Sequence, residues 1–316
     1  MTLTDRLQAL DRRQQQGPRL GFLAAVVKKF SDDQAGHLAA LIAYYGFVSL
    51  FPLLLVLVTV LGFVLQGDPG EQQRILNGAL GQFPILRDQL KLHSLKGSSV
   101  ALGVGVVGSL LAGMGITGAT QNAFNRIWSV PFKHRPNFIF ARLRGLGMLA
   151  ILGTLSIVAT TAAGFVGSSS HAAPAVVAGI VVAFLLNVVL FMTAFKLLTA
   201  VEVAWRDLLP GVITAAVFWQ LLQALGGYYV NHELKRTGPL YGVFALVLGL
   251  LAWLFLGAQL TMFAAEVNVV KVRRLWPRSF FSDPLLEADR RALTSSAEVE
   301  ERVEEENVEV TFDGPE

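Results

Sequence analysis

The sequence predicts an all-α membrane protein, a polytopic bundle of about six transmembrane helices with N and C termini in the cytoplasm. Three observations predict it. Apolar residues make up 53% of the chain and charged residues only 16%, where a soluble domain carries about 25% charged residues. The mean hydropathy of +0.53 agrees, so much of the surface cannot face water. Six apolar stretches each reach the roughly 20 residues that a spanning helix needs. Lysine and arginine are also unevenly spread across the loops, with twenty on one side of the implied membrane and six on the other. The richer side faces the cytoplasm by the positive-inside rule.

The elements follow in order. Residues 1–37 form a polar N-terminal segment with no short apolar run of the signal-peptide kind. Within it, Gly21–Phe30 reads as an amphipathic helix, because Phe22, Val26 and Phe30 recur every fourth residue. It either lies in the headgroup region, with Lys28 and Lys29 meeting anionic lipid, or packs on the protein. Ser31 and Gln34 have the spacing of a capping box that would start the first membrane helix. The membrane domain spans 38–270, with expected helices at Leu38–Leu65, Ser98–Gln121, Gly145–Gly167, Ala173–Phe195, Leu208–Val230 and Tyr241–Val267. Pro52 would kink the first of them. Gln66–Lys96 holds Ile75, Leu76, Ala79, Leu80 and Phe83, the pattern of a short amphipathic helix on the outer face. Residues 271–316 form a cytoplasmic tail made acidic by Glu298, Glu300, Glu301, Glu304, Glu305, Glu306 and Glu309, and it is expected to be disordered.

Several chemistries lack their residues. The chain has no cysteine, which removes disulfides, thiolate metal sites and thiol nucleophiles. The five histidines, His37, His93, His134, His171 and His232, do not pair at helical ligand spacing, so no metal site is expected. Gly103, Gly105 and Gly108 spell GxGxxG, but a dinucleotide site also needs an acidic residue about twenty positions on. No Asp or Glu occurs between Asp88 and Glu202. Ala101, Gly105, Ser109 and Gly113 instead fall every fourth residue and make a small face suited to close helix packing. No catalytic residues and no cofactor are expected.

The polar groups near the ends of the membrane helices are more informative, because an unpartnered polar group in hydrocarbon is costly. At about 1.5 Å rise per residue, most fall near the cytoplasmic side. The candidate cluster is Tyr44, Tyr45, Asn122, Asn125, Arg126, Arg142, Arg144, Glu266 and Asn268. Two readings stand open. Glu266 neutralises Arg126, Arg142 or Arg144 as a structural ion pair, or the group lines a polar cavity open to the cytoplasm.

Three regions together resemble the YihY/BrkB family of bacterial inner-membrane proteins, formerly mislabelled ribonuclease BN. The first runs from Leu38 through Tyr44 and Tyr45 to Ser49 and Pro52. The second is Asn122, Asn125, Arg126 and Trp128, then Arg135-Pro136 and the basic pair Arg142 and Arg144. The third is Trp205-Arg206-Asp207 with Pro210-Gly211, then Tyr241-Gly242, Trp253, Ala265-Glu266 and Asn268. Ala264 stands where the family often has glycine. The resemblance covers roughly residues 20–270 and implies a six-helix inner-membrane protein without a settled activity.

The function expected is transporter-like handling of a lipid or other amphiphile from the inner leaflet. The alternative is a non-catalytic scaffold that recruits a cytoplasmic protein through the acidic tail. Membrane lipids are the expected partners, self-association is left open, and nucleic acid is not expected, because the basic inner loops follow from orientation alone. The expected location is the bacterial inner membrane, crossed several times.

Overall fold

A computed structural model describes residues 11, 14–64, 70, 99–168, 173–232, 239–280 and 285–312. Among the described residues every regular element is helical. Helix α1 spans Pro18–Asp32, α2 Ala35–Val64, α3 Ser99–Ile127, α4 Phe138–Ser168, α5 Ala173–Leu198, α6 Trp205–His232, α7 Pro239–Arg273 and α8 Glu287–Glu298, with a 3-10 turn at Phe132–His134. The expected outer helix within Gln66–Lys96 lies outside the described residues apart from Gly70.

The six long helices α2 to α7 coincide with the six expected spans. Five of them, α2, α3, α5, α6 and α7, carry a stretch long and apolar enough to cross a membrane, judged by length and composition over the described residues. Each long helix packs on the next, and α7 returns to α2, which closes a ring. The outer wall is what a bilayer requires and water forbids. Val104 on α3, Val177, Ile180, Val181 and Leu185 on α5, and Leu225 on α6 are all exposed. The protein is a multi-pass helical membrane protein.

The helices outrun their apolar stretches at one end. Helix α3 continues to Ile127 and α7 to Arg273, while α4 begins at Phe138. Asn122, Asn125, Arg126, Arg142 and Arg144 therefore stand on rigid helix rather than in loops. The buried core gathers at this same end, where Phe124, Ile127, Phe195, Leu208 and Met262 are sequestered. The rings of Phe124 and Phe195 meet edge to face at 5.1 Å.

Helix α1 packs on the protein along the stripe expected for it. Val26 is fully buried, Phe22 meets Trp276 at 5.3 Å, and Phe30 meets Phe263 at 6.0 Å. The lysines do not face lipid, because Lys29 is buried and Lys28 is paired with Asp289 at 2.8 Å. The expected capping box does not form. Ser31 lies in the last turn of α1, and Gln34 turns the chain into α2 with φ of 53°.

The small face of α3 is divided between two neighbours. A Cβ on Gly105 would lie 3.2 Å from the Val56 amide of α2, whereas one on Gly113 would lie 2.4 Å from Leu149 of α4. Gly108 gives room to Pro52, whose Cβ would sit 2.9 Å from an added Cβ. Helix α2 runs through Pro52 without interruption.

The acidic tail is seated on the protein over its described part, against the expectation of disorder. Asp289 at the start of α8 is fully buried. Beyond α8 the backbone of Val299 and Glu301 accepts hydrogen bonds from the amides of Phe132 and Lys133, at 3.1 and 2.9 Å. Composition counts the glutamates but not their partners, and here the partners are lysines and arginines of the bundle. The N-terminal helix, the loop after α3 and the tail thus share one end of the ring.

Candidate functional site

The shared end holds a polar junction built from the α1–α2 joint, the last turns of α3 and α7, and the loop 128–135. Glu266 sits at its centre and is fully buried. Its partner is lysine rather than arginine. Lys29 Nζ lies 3.7 Å from Glu266 Oε2, makes a shorter ion pair with Asp33, and donates to the Ile127 carbonyl at 3.0 Å. Neither Glu266 oxygen meets hydrogen-bond geometry among the described residues, so Lys29 holds it by charge.

The three candidate arginines go elsewhere. Arg126 pairs with Glu300 of the tail at 3.0 Å. Arg144 donates to the Thr199 carbonyl at 3.0 Å, which ties α4 to the end of α5. Arg142 is exposed on the first turns of α4. The expected Glu266–arginine pair is therefore replaced by Lys29, on the amphipathic helix whose placement against lipid or protein the sequence leaves open.

Asn125 and Asn268 act as latches on backbone. Asn125 Oδ1 accepts from the Ala200 amide at 3.0 Å, and Asn268 Oδ1 accepts from the Gly211 amide at 2.7 Å. The second latch needs glycine, because a Cβ on Gly211 would lie 2.3 Å from the Ala264 carbonyl oxygen. Helices α6 and α7 thus approach closely at Ala264 although it is not glycine; the small residue on the facing helix supplies the space.

Beside this knot opens a cleft of about 260 Å³. Asp33, Gln34, His37 and Leu38 line it from the α1–α2 joint, Asn122 and Arg126 from α3, and Phe132 and Arg135 from the loop. Arg135 is fixed in place. Its Nε donates to the Val130 carbonyl at 3.1 Å, its Nη1 to Asn122 Oδ1 at 2.8 Å, and its guanidinium lies 4.0 Å from the Phe132 ring centre. Its Nη2 is buried without a hydrogen-bond partner among the described residues. Burial first, and then the charge of Arg126, lower the Arg135 pKa, with Glu300 acting the other way. Glu266 does not line this cleft; Lys29 alone stands between it and Asp33 of the cleft wall.

Tyr44 and Tyr45 stand outside the knot. Their rings pair edge to face at 5.4 Å, and Tyr45 covers Gly115 of α3. Tyr44 belongs to a stripe on α2, with His37, Leu41, Val48 and Phe51, that is exposed throughout and leads away from the cleft. Of the nine candidates, the cleft gathers Asn122 and Arg126, and the buried knot holds Glu266. Lys29, Asp33, His37 and Arg135 were missed, although Lys29 and Asp33 carry the i,i+4 spacing of a helical ion pair. Among the described residues no group of three His, Asp or Glu side chains is placed to hold a metal.

The family described as Virulence factor BrkB matches residues 26–279, from within α1 to Ser279. The chain belongs to this family. The BrkB match includes Lys28, Lys29, Glu266 and Arg278, and it leaves α8 and the rest of the tail outside. The Escherichia coli protein named Inner membrane protein YhjD is 27% identical over 79% of this chain and 81% of its own length. A UPF0761 membrane protein of Ralstonia nicotianae is 28% identical over 69% of this chain and 49% of its own length, so the chain spans about half of that relative. A Bacillus subtilis protein named ribonuclease-like protein YfkH is 21% identical over 81% of the chain and 96% of its own length. No solved structure matches.

Proposed function

We propose that this BrkB-family protein is a transporter-like, non-catalytic protein of the bacterial inner membrane. In this reading it takes up an amphiphile with an anionic headgroup at the cytoplasmic end of its helix ring. One observation carries the reading. The cleft sets two guanidiniums, Arg126 and Arg135, beside the apolar Leu38 and Phe132 where the spans Ala35–Val56 and Leu102–Ile127 end. From it the stripe Leu41, Tyr44, Val48 and Phe51 runs along α2 toward the membrane interior, exposed for an acyl chain to follow. A headgroup would meet charge and fixed hydrogen-bond donors, and its chain would meet hydrocarbon. The tail lends the scaffold alternative little support, since Asp289, Glu300 and Glu301 are held by the chain's own cations.

The test is binding of a short-chain anionic phospholipid to the whole protein in neutral detergent. Arg126→Gln should weaken it about tenfold, the scale of one charge-assisted contact, and a zwitterionic analogue should bind more weakly than the anionic one. Labelled lipid should also cross vesicles containing the protein faster than protein-free vesicles. Equal binding of both headgroups, with no effect of Arg126→Gln, would end this reading.

A further inference from the structure

A second cleft, of about 310 Å³, lies between the end of α7 and α8. Arg273 lines it from α7, and Arg290, Arg291, Thr294 and Ser295 line it from α8, with Glu287 as its one carboxylate. The spacing on α8 explains the grouping. Arg290 and Thr294, and Arg291 and Ser295, are each four residues apart and so share a side of the helix.

The charges are unevenly satisfied. The tail neutralises Lys28 and Arg278 through Asp289, at 2.8 and 2.9 Å. It neutralises Arg126 through Glu300 and Lys133 through Glu301. The three arginines of the cleft receive no such carboxylate among the described residues. Arg273 donates to the Trp128 carbonyl, Arg291 Nε donates to the Glu287 carbonyl at 3.4 Å, and Arg290 lies 5.9 Å from the Phe312 ring centre. Glu287 at the wall, and Glu298 and Asp33, which act on Arg273 through space, are the opposing charges. Three cations still face one space beside two hydroxyls. Guanidinium forks match phosphate oxygens, and hydroxyls complete such a shell. Arg273 also closes the apolar span Val247–Arg273, so the cleft lies at the end of that helix.

We propose that the cleft between α7 and α8 is a phosphate-binding site, formed by Arg273, Arg290 and Arg291 with Thr294 and Ser295. It is separate from the cleft of Arg126 and Arg135 and does not rest on the amphiphile reading. Two sources share the chemistry, a soluble phosphate and a lipid phosphomonoester.

The experiment measures the Tm of the full-length protein in phosphatidylcholine nanodiscs at constant ionic strength. Inorganic phosphate is titrated in one arm, and phosphatidic acid is included in the discs in the other. A rise in Tm with inorganic phosphate supports a soluble ligand, and a rise only with phosphatidic acid supports a lipid headgroup. The double variant R290Q/R291Q should raise the half-saturating concentration at least about tenfold. Lys271→Gln, at an exposed cation that lines neither cleft, should leave it unchanged. Both arginines are exposed, and unliganded Tm and α8 protease resistance check that the double variant is folded. R290K/R291K provides a second variant that keeps the charge and should bind between wild type and the glutamine variant. No rise in either arm, or equal rises in wild type and R290Q/R291Q, would overturn the proposal.

Discussion

One ammonium serves two carboxylates at the centre of the junction. Lys29 pairs with Asp33 and faces Glu266 at 3.7 Å, with both of its partners buried. Breaking a buried pair by removing one member costs about 3–5 kcal/mol, because the other charge is left without compensation. Lys29→Met strands two carboxylates and should lower stability by at least that much. Glu266→Gln leaves Lys29 with Asp33 and with the Ile127 carbonyl, so its effect should be the smaller. Unfolding of both variants in one detergent checks the order; an equal or larger loss for Glu266→Gln would contradict it. The sequence marked Glu266 as a residue needing a cation, because hydrocarbon makes that demand of any carboxylate. It did not mark the cation. Depth along the helices favoured arginines on α3 and α4, while the cation came from α1, whose position against α7 no periodicity encodes. Asn125 and Asn268 were legible as polar groups in need of partners, but their partners are backbone amides, which carry no side-chain signature.

At the scale of elements, α1 and α8 are clamped together by Asp289. It accepts from Lys28 Nζ at 2.8 Å, Arg278 Nε at 2.9 Å and the Ser279 amide at 3.0 Å. Burial pushes its carboxyl pKa up, and the hydrogen bonds from Lys28, Ser279 and Arg278 together outweigh burial, so the carboxyl is held below its usual value. The sign follows from linkage. A depressed carboxyl contributes stability above its unfolded pKa of about 3.9, and that contribution is lost as pH falls through the lower folded value. Hydrogen exchange of α8 should therefore stay protected on acidification until the pH drops below about 3.9. Asp289→Asn should raise exchange above that pH, converge with the wild type below it and so flatten the profile. Loss of protection in the wild type well above that pH would show that another group holds α8. The long helices were legible because hydropathy alone sets them. Helix α8 was not, because seven glutamates between 298 and 309 read as a solvated chain, whereas Asp289 and Glu301 are anchors set by distant cations. Gly105 and Gly113 were legible as places of close approach, but not as facing two different helices.

For the whole molecule, the closed ring and the docked tail constrain which residues can share a side of the membrane. Lys133 and Glu301 pair at 2.9 Å, so the loop after α3 and the tail must lie on the same side. The N-terminal helix joins them through Lys28 and Asp289 at 2.8 Å. The uneven spread of lysine and arginine, twenty against six, predicts that this side is the cytoplasmic one. Ion-pair geometry fixes which segments share a side, and the charge distribution independently predicts which side that is. A labelling experiment separates them, and the absence of cysteine makes single-cysteine variants clean reporters. His134 and Glu305 are exposed, so a cysteine at either leaves the ion pairs in place. A membrane-impermeant maleimide should label neither variant in intact cells with a permeable outer envelope, and both after the inner membrane is opened. Cysteines at Gln72 and His171, outside the described residues, should be labelled in intact cells. Labelling of His134→Cys and Glu305→Cys from opposite sides would undo the docking of the tail. Labelling of both in intact cells would keep the docking and reverse the orientation, moving both arginine clefts to the outer leaflet.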